Sequence, residues 1–305
     1  MSKPLVSLTV ICYKAEKFVK EAIAGALSQT YSPLEIIFSD DNSSDKTFEI
    51  IQEVVKGYNG PHKIVLNKNE TNLGIGAHVS KVWYTIATGD WIVVSAGDDV
   101  SLPNRIEKIM EAATPSIAAL HHNYTRIDDS GKPLPDLNEF GLKLKALEQG
   151  NVEEIIRKGH WLIGSTMCLN VKMLKQFKPF VKGLVNEDVV LAYRARYFGD
   201  VVYLDDKLFL YRIHEGSVSH VYGEADKSRY KKLVARRAKQ KIAVINQVFA
   251  DNNILNLSAP FLNELKQEKI KFEIEYFVFG EGFFKVKYLL MPHFYVSVIK
   301  KIVKK

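Results

Sequence analysis

Three pairs of adjacent acids stand out by where they fall: Asp40-Asp41, Asp98-Asp99 and Glu187-Asp188. The first two end short runs of β-branched and apolar residues, and the third precedes a stretch with helical spacing. In open α/β sheets the carboxyl ends of the strands, where loops lead into helix N-termini, gather the ligand-binding groups. Carboxylates converging on one such edge repel each other unless a cation or hydrogen-bond donors join them. A hard divalent cation with oxygen ligands, Mn2+ or Mg2+, meets that need and commonly bridges to phosphates. The plainer reading of each pair taken alone is a helix cap.

The elements that must position these acids follow from the pattern. From residue 5 to about 100 a short apolar run, a small polar loop and a helical stretch alternate, which predicts a parallel sheet with crossover helices. Strands are expected over Leu5 to Tyr13, Leu34 to Ser39, His62 to Leu66 and Trp91 to Ala96. The helices between them carry Phe18 to Leu27, Phe48 to Val55 and Val79 to Ala87. Beyond Asp99 the spacing predicts a short helix after Pro103, a strand over Ile117 to Ile127, loop through residues 132–150 and a strand over Trp161 to Leu169. A helix over Val189 to Phe198 and two short strands, Val201 to Tyr203 and Leu208 to Ile213, complete the pattern. From Tyr222 onward the sequence reads as helical and basic.

With 305 residues and 47% hydrophobic composition, the chain has enough apolar mass for one large core and is not disordered. Cys12 and Cys168 sit inside apolar runs, which suits buried reduced thiols and a cytoplasmic setting. The N-terminus lacks the features of a signal peptide. The net charge of +7 is unevenly placed: residues 1–221 carry 25 Lys+Arg against 27 Asp+Glu, while residues 222–305 carry 17 against 8. A body of −2 argues against a nucleic-acid partner, and no recognition motif is present. The tail, with aromatics from Phe277 to Tyr295 among lysines, has the composition of a segment that rests on an anionic membrane surface; packing onto the body or a second subunit is the alternative. Its longest uncharged stretch, Tyr288 to Ile299, is interrupted by Pro292 and is too short to span a bilayer.

Taken in order, these residues resemble the family 2 inverting glycosyltransferases with the GT-A fold. The opening VSLTVICYKAEKFVKEAIAGALSQTYSPLEIIFSDDNSSDKT is similar to that family's first block, with a helix ending in Q-T-Y and a following D-D-x-S-x-D-x-T. Asn72-Leu73-Gly74, then TGDWIVVSAGDD, then Glu187-Asp188, then Tyr211-Arg212-Ile213-His214 with Ser217 and Ser219, follow in the family's order. The resemblance covers residues 5 to about 220. It implies a Rossmann-like, mostly parallel α/β sheet flanked by helices, with residues 1–100 as a nucleotide-binding half and 101–221 as an acceptor half. Residues 222–305 are then a basic, amphipathic helical extension.

The resemblance also implies roles. Asp41 would accept the base N3–H of a uracil or thymine, Asp98 would lie near the ribose or metal, and Asp99 would hold Mn2+ or Mg2+ between two phosphates, with His214 reaching the metal or diphosphate from the other side. Ile11, Tyr13, Gly74 and Lys81 would line the donor, and Arg212 would pair with phosphate or brace an acid. Asp188 would be the general base, with Glu187 as the alternative, and His160 and Trp161 would meet the acceptor. The expected partners are a nucleotide-sugar donor, a UDP-sugar above others, and a glycan or lipid-linked saccharide. The chain departs from the family at Lys14, where an Asn is usual, and at Val79-Ser80, where an Arg-Asn pair is usual; His78 and Lys81 are the nearby substitutes. A nucleotidyltransferase would need a Gly-rich loop after the first strand, which ICYKAEKF lacks. A non-catalytic membrane or nucleic-acid module, and a transferase that binds donor without turnover, are the remaining rivals.

Overall fold

The computed structural model describes residues 3–136, 147, 150–215 and 227–279. The chain divides into two compact units, Met1–Val221 and Tyr222–Lys305. In the first, eight strands form one sheet: β1 Val6–Cys12, β2 Leu34–Asp40, β3 Lys63–Lys68, β4 Trp91–Ala96, β5 Val100–Ser101, β6 Ile117–Ile127, β7 Cys168–Asn170 and β8 Asp200–Arg212, in the order β3-β2-β1-β4-β7-β6-β8-β5. Helices α1 Val19–Leu27, α2 Thr47–Lys56, α3 Ile75–Lys81, α4 Arg105–Ala112, α5 Val152–Lys158, α6 Val171–Gln176 and α7 Glu187–Phe198 connect them.

The four parallel strands β3, β2, β1 and β4 set the frame. β1, β2 and β4 are apolar and buried almost throughout, as a parallel sheet covered on both faces requires. Val6, Leu8 and Val10 of β1 pack with Ile23 and Ala26 of α1 and Ile36 and Phe38 of β2 in the main core. The chain runs outward from β1 to β2 and β3, then returns to place β4 on β1's other side. That reversal makes the carboxyl ends of β1 and β4 a topological switch point, where a crevice opens and ligands bind in folds of this kind. The register sets Cys12 beside Asp40 and Ile11 beside Ala96, so the acid-bearing loops after β2 and β4 lie on either side of β1, about 10 Å apart at two strand spacings.

Four sequence-based expectations change. Trp161 to Leu169 is not a strand: only Cys168–Asn170 pairs, and Gly164–Thr166 forms a 3-10 turn that wraps the Ser165 carbonyl onto the Arg105 guanidinium at 2.8 Å. Between the expected loop and Trp161, where no element is expected, the chain forms α5, capped by the Asn151 side chain on the Glu154 amide and ended by Gly159 at φ 63°. The two short strands near 201–213 are one, β8, whose pairing with β6 slips around His122 and Asn123. The third helix starts earlier than Val79 and finishes in a π turn over Val82–Ile86.

In the second unit α8 Lys227–Leu255 and α9 Ala259–Phe279 pack on each other as a helical hairpin. Ala235, Ala238, Ile245, Val248 and Leu255 recur at spacings of three and seven along the buried side of α8, while Lys232, Arg236, Lys239 and Lys241 are exposed. Among the described residues no helix is long and apolar enough to cross a membrane. The aromatic cluster from Phe283 to Tyr295, and Ser217 and Ser219, lie outside the described residues.

Candidate active site

The loop after β2 ties the sheet's carboxyl edge together. Asp40, fully buried, accepts the Ser43 amide at 2.9 Å and the Ser43 hydroxyl. Ser43 Oγ in turn accepts the Lys14 amide, Thr47 Oγ1 the Ala15 amide, and Asp45 the Glu16 amide. The D-D-x-S-x-D-x-T stretch is therefore a clamp on the loop after β1, apart from Asp41. Within that loop Lys14 sits at φ 53°, in the left-handed region. Asn enters this region more readily than other non-glycine residues, which explains an Asn preference there and makes Lys14 a position of roughly 1 kcal/mol of strain. Beyond β1 the Tyr13 ring is 49% exposed, with the Lys14 ammonium 5.3 Å from its centroid. Ile11 contributes its carbonyl to the Gly97 amide at 2.9 Å and so fixes the turn that carries Asp98 and Asp99.

Asp41 is 3% exposed and organises the neighbouring loop. Its Oδ1 accepts the Asn69 side chain at 2.8 Å and the Leu73 amide at 2.9 Å, and its Oδ2 accepts the Gly74 amide at 2.9 Å. Lys81 Nζ donates to Asn69 Oδ1 at 2.8 Å and completes the network. Gly74 spends its amide on Asp41, and its φ of 77° is what a side chain would oppose. His78 is buried, with Nε2 2.6 Å from Ser39 Oγ, and burial pushes its pKa down.

Asp99 is 2% exposed, and Asp98 is its immediate neighbour. Burial, and then the Asp98 charge, push Asp99 well above the usual carboxylate range, against the pull of the Arg212 amide and Arg105. Arg212 N donates to Asp99 Oδ1 at 2.8 Å, and its buried guanidinium donates to the carbonyls of Asp98, Asp128 and Asp129 and to Glu21 Oε2 at 2.7 Å. Of the two roles open to it, Arg212 therefore braces the acids; it does not present its side chain to a phosphate. His214 Nε2 lies 3.0 Å from Asp98 Oδ2, and its ring packs on Phe18 at 4.7 Å, so Asp98 is a carboxylate partner of this histidine. Arg105 is the residue that no sequence motif marks. Fully buried, it donates to Ser101, His122, Val94 O and Ser165 O and lies over the Phe209 ring, and burial lowers its pKa to about 9. With Nε2 accepting from Arg105 and Nδ1 facing Asn123 O at 2.7 Å, His122 is a neutral structural histidine.

Glu187 and Asp188 open α7. The Asp188 carbonyl accepts the Leu162 amide at 3.3 Å, which brings the segment with His160 and Trp161 alongside the pair. Asp188 Oδ1 accepts the Val189 amide at 2.8 Å, whereas Glu187 Oε2 is buried without a hydrogen-bond partner. Burial, and then Asp188, raise Glu187 to about 8; burial raises Asp188 to about 6.

Among the described residues no three His, Cys, Asp or Glu side chains close around a single point that could hold a metal. Asp99, and Asp98 with His214 beside it, nonetheless fit a site completed by ligand: an uncompensated buried acid next to a second carboxylate is relieved by a cation, and Mg2+-type ions take one or two carboxylates with phosphate oxygens and water.

The acid pair makes stability depend on pH. Both groups stay protonated in the folded chain where unfolded Asp and Glu, near 3.8 and 4.5, have ionised. The folded state therefore binds more protons between about pH 4 and 8 and loses stability as pH rises through that window, by up to about 1.4 kcal/mol per pH unit for each proton. Glu187→Gln should flatten this fall, measured as urea midpoints from pH 5 to 8.5. Parallel curves for variant and wild type would show that Glu187 titrates normally.

Comparison with known proteins agrees with this architecture. PcManGT, a mannosyltransferase from Pyrobaculum calidifontis solved with GDP-Man and Mn2+, superposes with a TM-score of 0.57 over 95% of this chain and 79% of that one, at 14% identity. TarS from S. aureus, solved with UDP-GlcNAc, gives 0.55 over 90% and 73%, at 16% identity. These likenesses show the GT-A fold. Glycosyltransferase GlyG of Streptococcus pneumoniae is 26% identical over 284 residues, 87% of this chain and 88% of GlyG. An uncharacterized glycosyltransferase of Methanocaldococcus jannaschii is 32% identical over 192 residues, 62% of this chain and 63% of that relative, so the match spans a little under two thirds of its length. The profile of Glycosyl transferase family 2 matches residues 7–167, more than half of the sequence, and the chain belongs to that family.

Proposed function

We propose that this protein moves a sugar from a nucleotide diphosphate, a UDP-sugar above others, to a hydroxyl of a glycan or lipid-linked saccharide, with inversion at the anomeric carbon. The observation that carries this reading is that the loops bearing Asp41 and Asp98-Asp99 flank the carboxyl end of β1 at the switch point; Asp188 opens α7, four residues after the Leu184 carbonyl that presses on Gly76 of α3. Three accepted hydrogen bonds leave Asp41 one lone pair on Oδ2, enough for the N3–H of a uracil. Two strand spacings away, Asp99 and Asp98 stand where a diphosphate would follow the nucleoside, with His214 beside them. Bound Mn2+ or Mg2+ would supply neutralisation of charge on the departing diphosphate. Tyr13, exposed beyond β1, offers the donor a flat surface. That PcManGT holds GDP-Man with Mn2+ and TarS holds UDP-GlcNAc on the same fold supports a nucleotide-sugar donor.

The elevated values of the second pair divide its labour. Burial raises both acids, but Asp188 Oδ1 accepts the Val189 amide, which favours its ionised form, whereas Glu187 Oε2 is buried without a hydrogen-bond partner, which favours its protonated form. Asp188 is then the base that accepts the acceptor hydroxyl's proton as its oxygen attacks the anomeric carbon opposite the leaving diphosphate. His160 and Trp161, on the segment joined to Asp188 through Leu162, flank the acceptor. A screen of UDP-, dTDP- and GDP-sugars with Mn2+ identifies the donor, and Asp188→Asn should then leave UDP affinity within a few-fold while cutting transfer by about 10² or more. Normal transfer by that variant would assign the base elsewhere.

The exposed basic residues of α8, within a tail of net +9, suit an anionic lipid surface that presents the acceptor. Each basic residue near such a surface contributes about 1 kcal/mol, so binding should fade as salt rises. Flotation with anionic liposomes should carry the full chain and release it with salt; failure to float would make the tail a packing element.

A further inference from the structure

Helix α3 and the first turn of α7 are far apart in sequence and carry different parts of the site: Gly74, just before α3, donates to Asp41, and Asp188 opens α7. The chain from Phe177 to Asn186 joins them physically. Phe180 donates its amide to Ser80 Oγ of α3 at 3.1 Å. Its ring meets Trp83 of the π turn edge-on at 6.3 Å. The Lys178 carbonyl accepts Tyr84 Oη at 3.4 Å and an Arg194 amino group at 3.1 Å; the other amino group of Arg194 reaches Tyr84 Oη at 3.2 Å. Arg194, fully buried on α7, lies over the Phe177 and Phe180 rings at 4.8 and 5.1 Å. After the tight turn at Gly183, φ 83°, the Leu184 carbonyl presses so closely on Gly76 of α3 that a Cβ there would lie 2.3 Å from it. Asp188 follows four residues later. The π turn at Val82–Ile86, a geometry frequent at functional sites, brings Trp83 and Tyr84 to this seam.

We infer that residues 177–186 form a brace that ties α3, and with it the Asp41 network, to the first turn of α7, so that a nucleoside diphosphate seated at Asp41 orders Asp188. Gly76, Ser80 and Arg194 are its positioning residues. The inference rests on the proposed roles of Asp41 and Asp188. Its physical content is that Gly76 permits a backbone approach no other residue allows: restoring an ordinary carbon–oxygen contact of about 3.3 Å would move Leu184 by about 1 Å. A displacement of that size at a catalytic group costs about 10²-fold in rate.

Hydrogen exchange with UDP and Mn2+ as the probe tests the coupling. In the wild type, ligand should slow exchange both at residues 69–76 and at 184–190, by about fivefold or more at the latter. Gly76→Ala should keep protection at 69–76 and reduce that at 184–190 to under about twofold, with kcat falling more than KM rises. Ser80→Ala, a smaller change that strips the Phe180 amide of its partner, should weaken the same protection and serves if Gly76→Ala does not fold. Undiminished protection of 184–190 in a folded variant, or protection confined to 69–76 in the wild type, overturns the brace. No protection at 69–76 in the wild type would instead contradict the donor site itself.

Discussion

An acid held out of water beside a second acid is the constraint around which the carboxyl edge of this sheet is arranged. Asp99 is buried next to Asp98, and two buried arginines temper its shift, Arg212 through its backbone amide and Arg105 through its charge. Arg212 comes from the end of β8 and gives Asp99 its backbone amide, while its guanidinium binds Asp98, Asp128 and Asp129 carbonyls. Arg105 comes from α4 and joins β4, β5, β6 and the 3-10 turn. Even so, Asp99 remains shifted toward its neutral form. The arginines fix geometry without cancelling the field of the two acids.

The same economy governs the donor end. Asp41 uses most of its hydrogen-bonding capacity to fold the loop 69–74 onto itself, which requires the left-handed Gly74 and the Asn69–Lys81 pair behind it. Three donors lock the Asp41 carboxylate in place, and its proposed role in holding a base draws on that same rigidity. The clamp of Asp40, Ser43, Asp45 and Thr47 on the β1 loop holds this edge against the next. Lys14 marks where that clamp imposes strain on a residue not suited to it.

Much of the frame was legible in the sequence because parallel strands buried on both faces leave uninterrupted apolar runs. Trp91 to Ala96 and Ile117 to Ile127 have the bounds expected of them, and the acids fall at strand ends as their spacing requires. The second half was less legible. Helix α5 carries a full set of signals, Asn151 as cap, acids in its first turn, bases in its last and Gly159 after it, yet its seven residues are too few for hydrophobic periodicity to register. The apolar run Trp161 to Leu169 misleads because its backbone bends to serve Arg105, a tertiary demand with no local trace. The distinction between Arg212 as phosphate ligand and as brace is likewise invisible in the motif, since both need an arginine at the end of β8; only burial and the four partners of its guanidinium separate them.

On this account the acids at the switch point are an incomplete site that a cation and a diphosphate complete together. Calorimetric titration of UDP into the protein with Mn2+, repeated with EDTA and with Asp99→Asn, tests that claim most directly. Measurable affinity with Mn2+ should be lost in EDTA and in the variant, because the diphosphate then meets the carboxylates with nothing between them. Equal UDP affinity with and without the metal, or undiminished metal-dependent binding by Asp99→Asn, would contradict it.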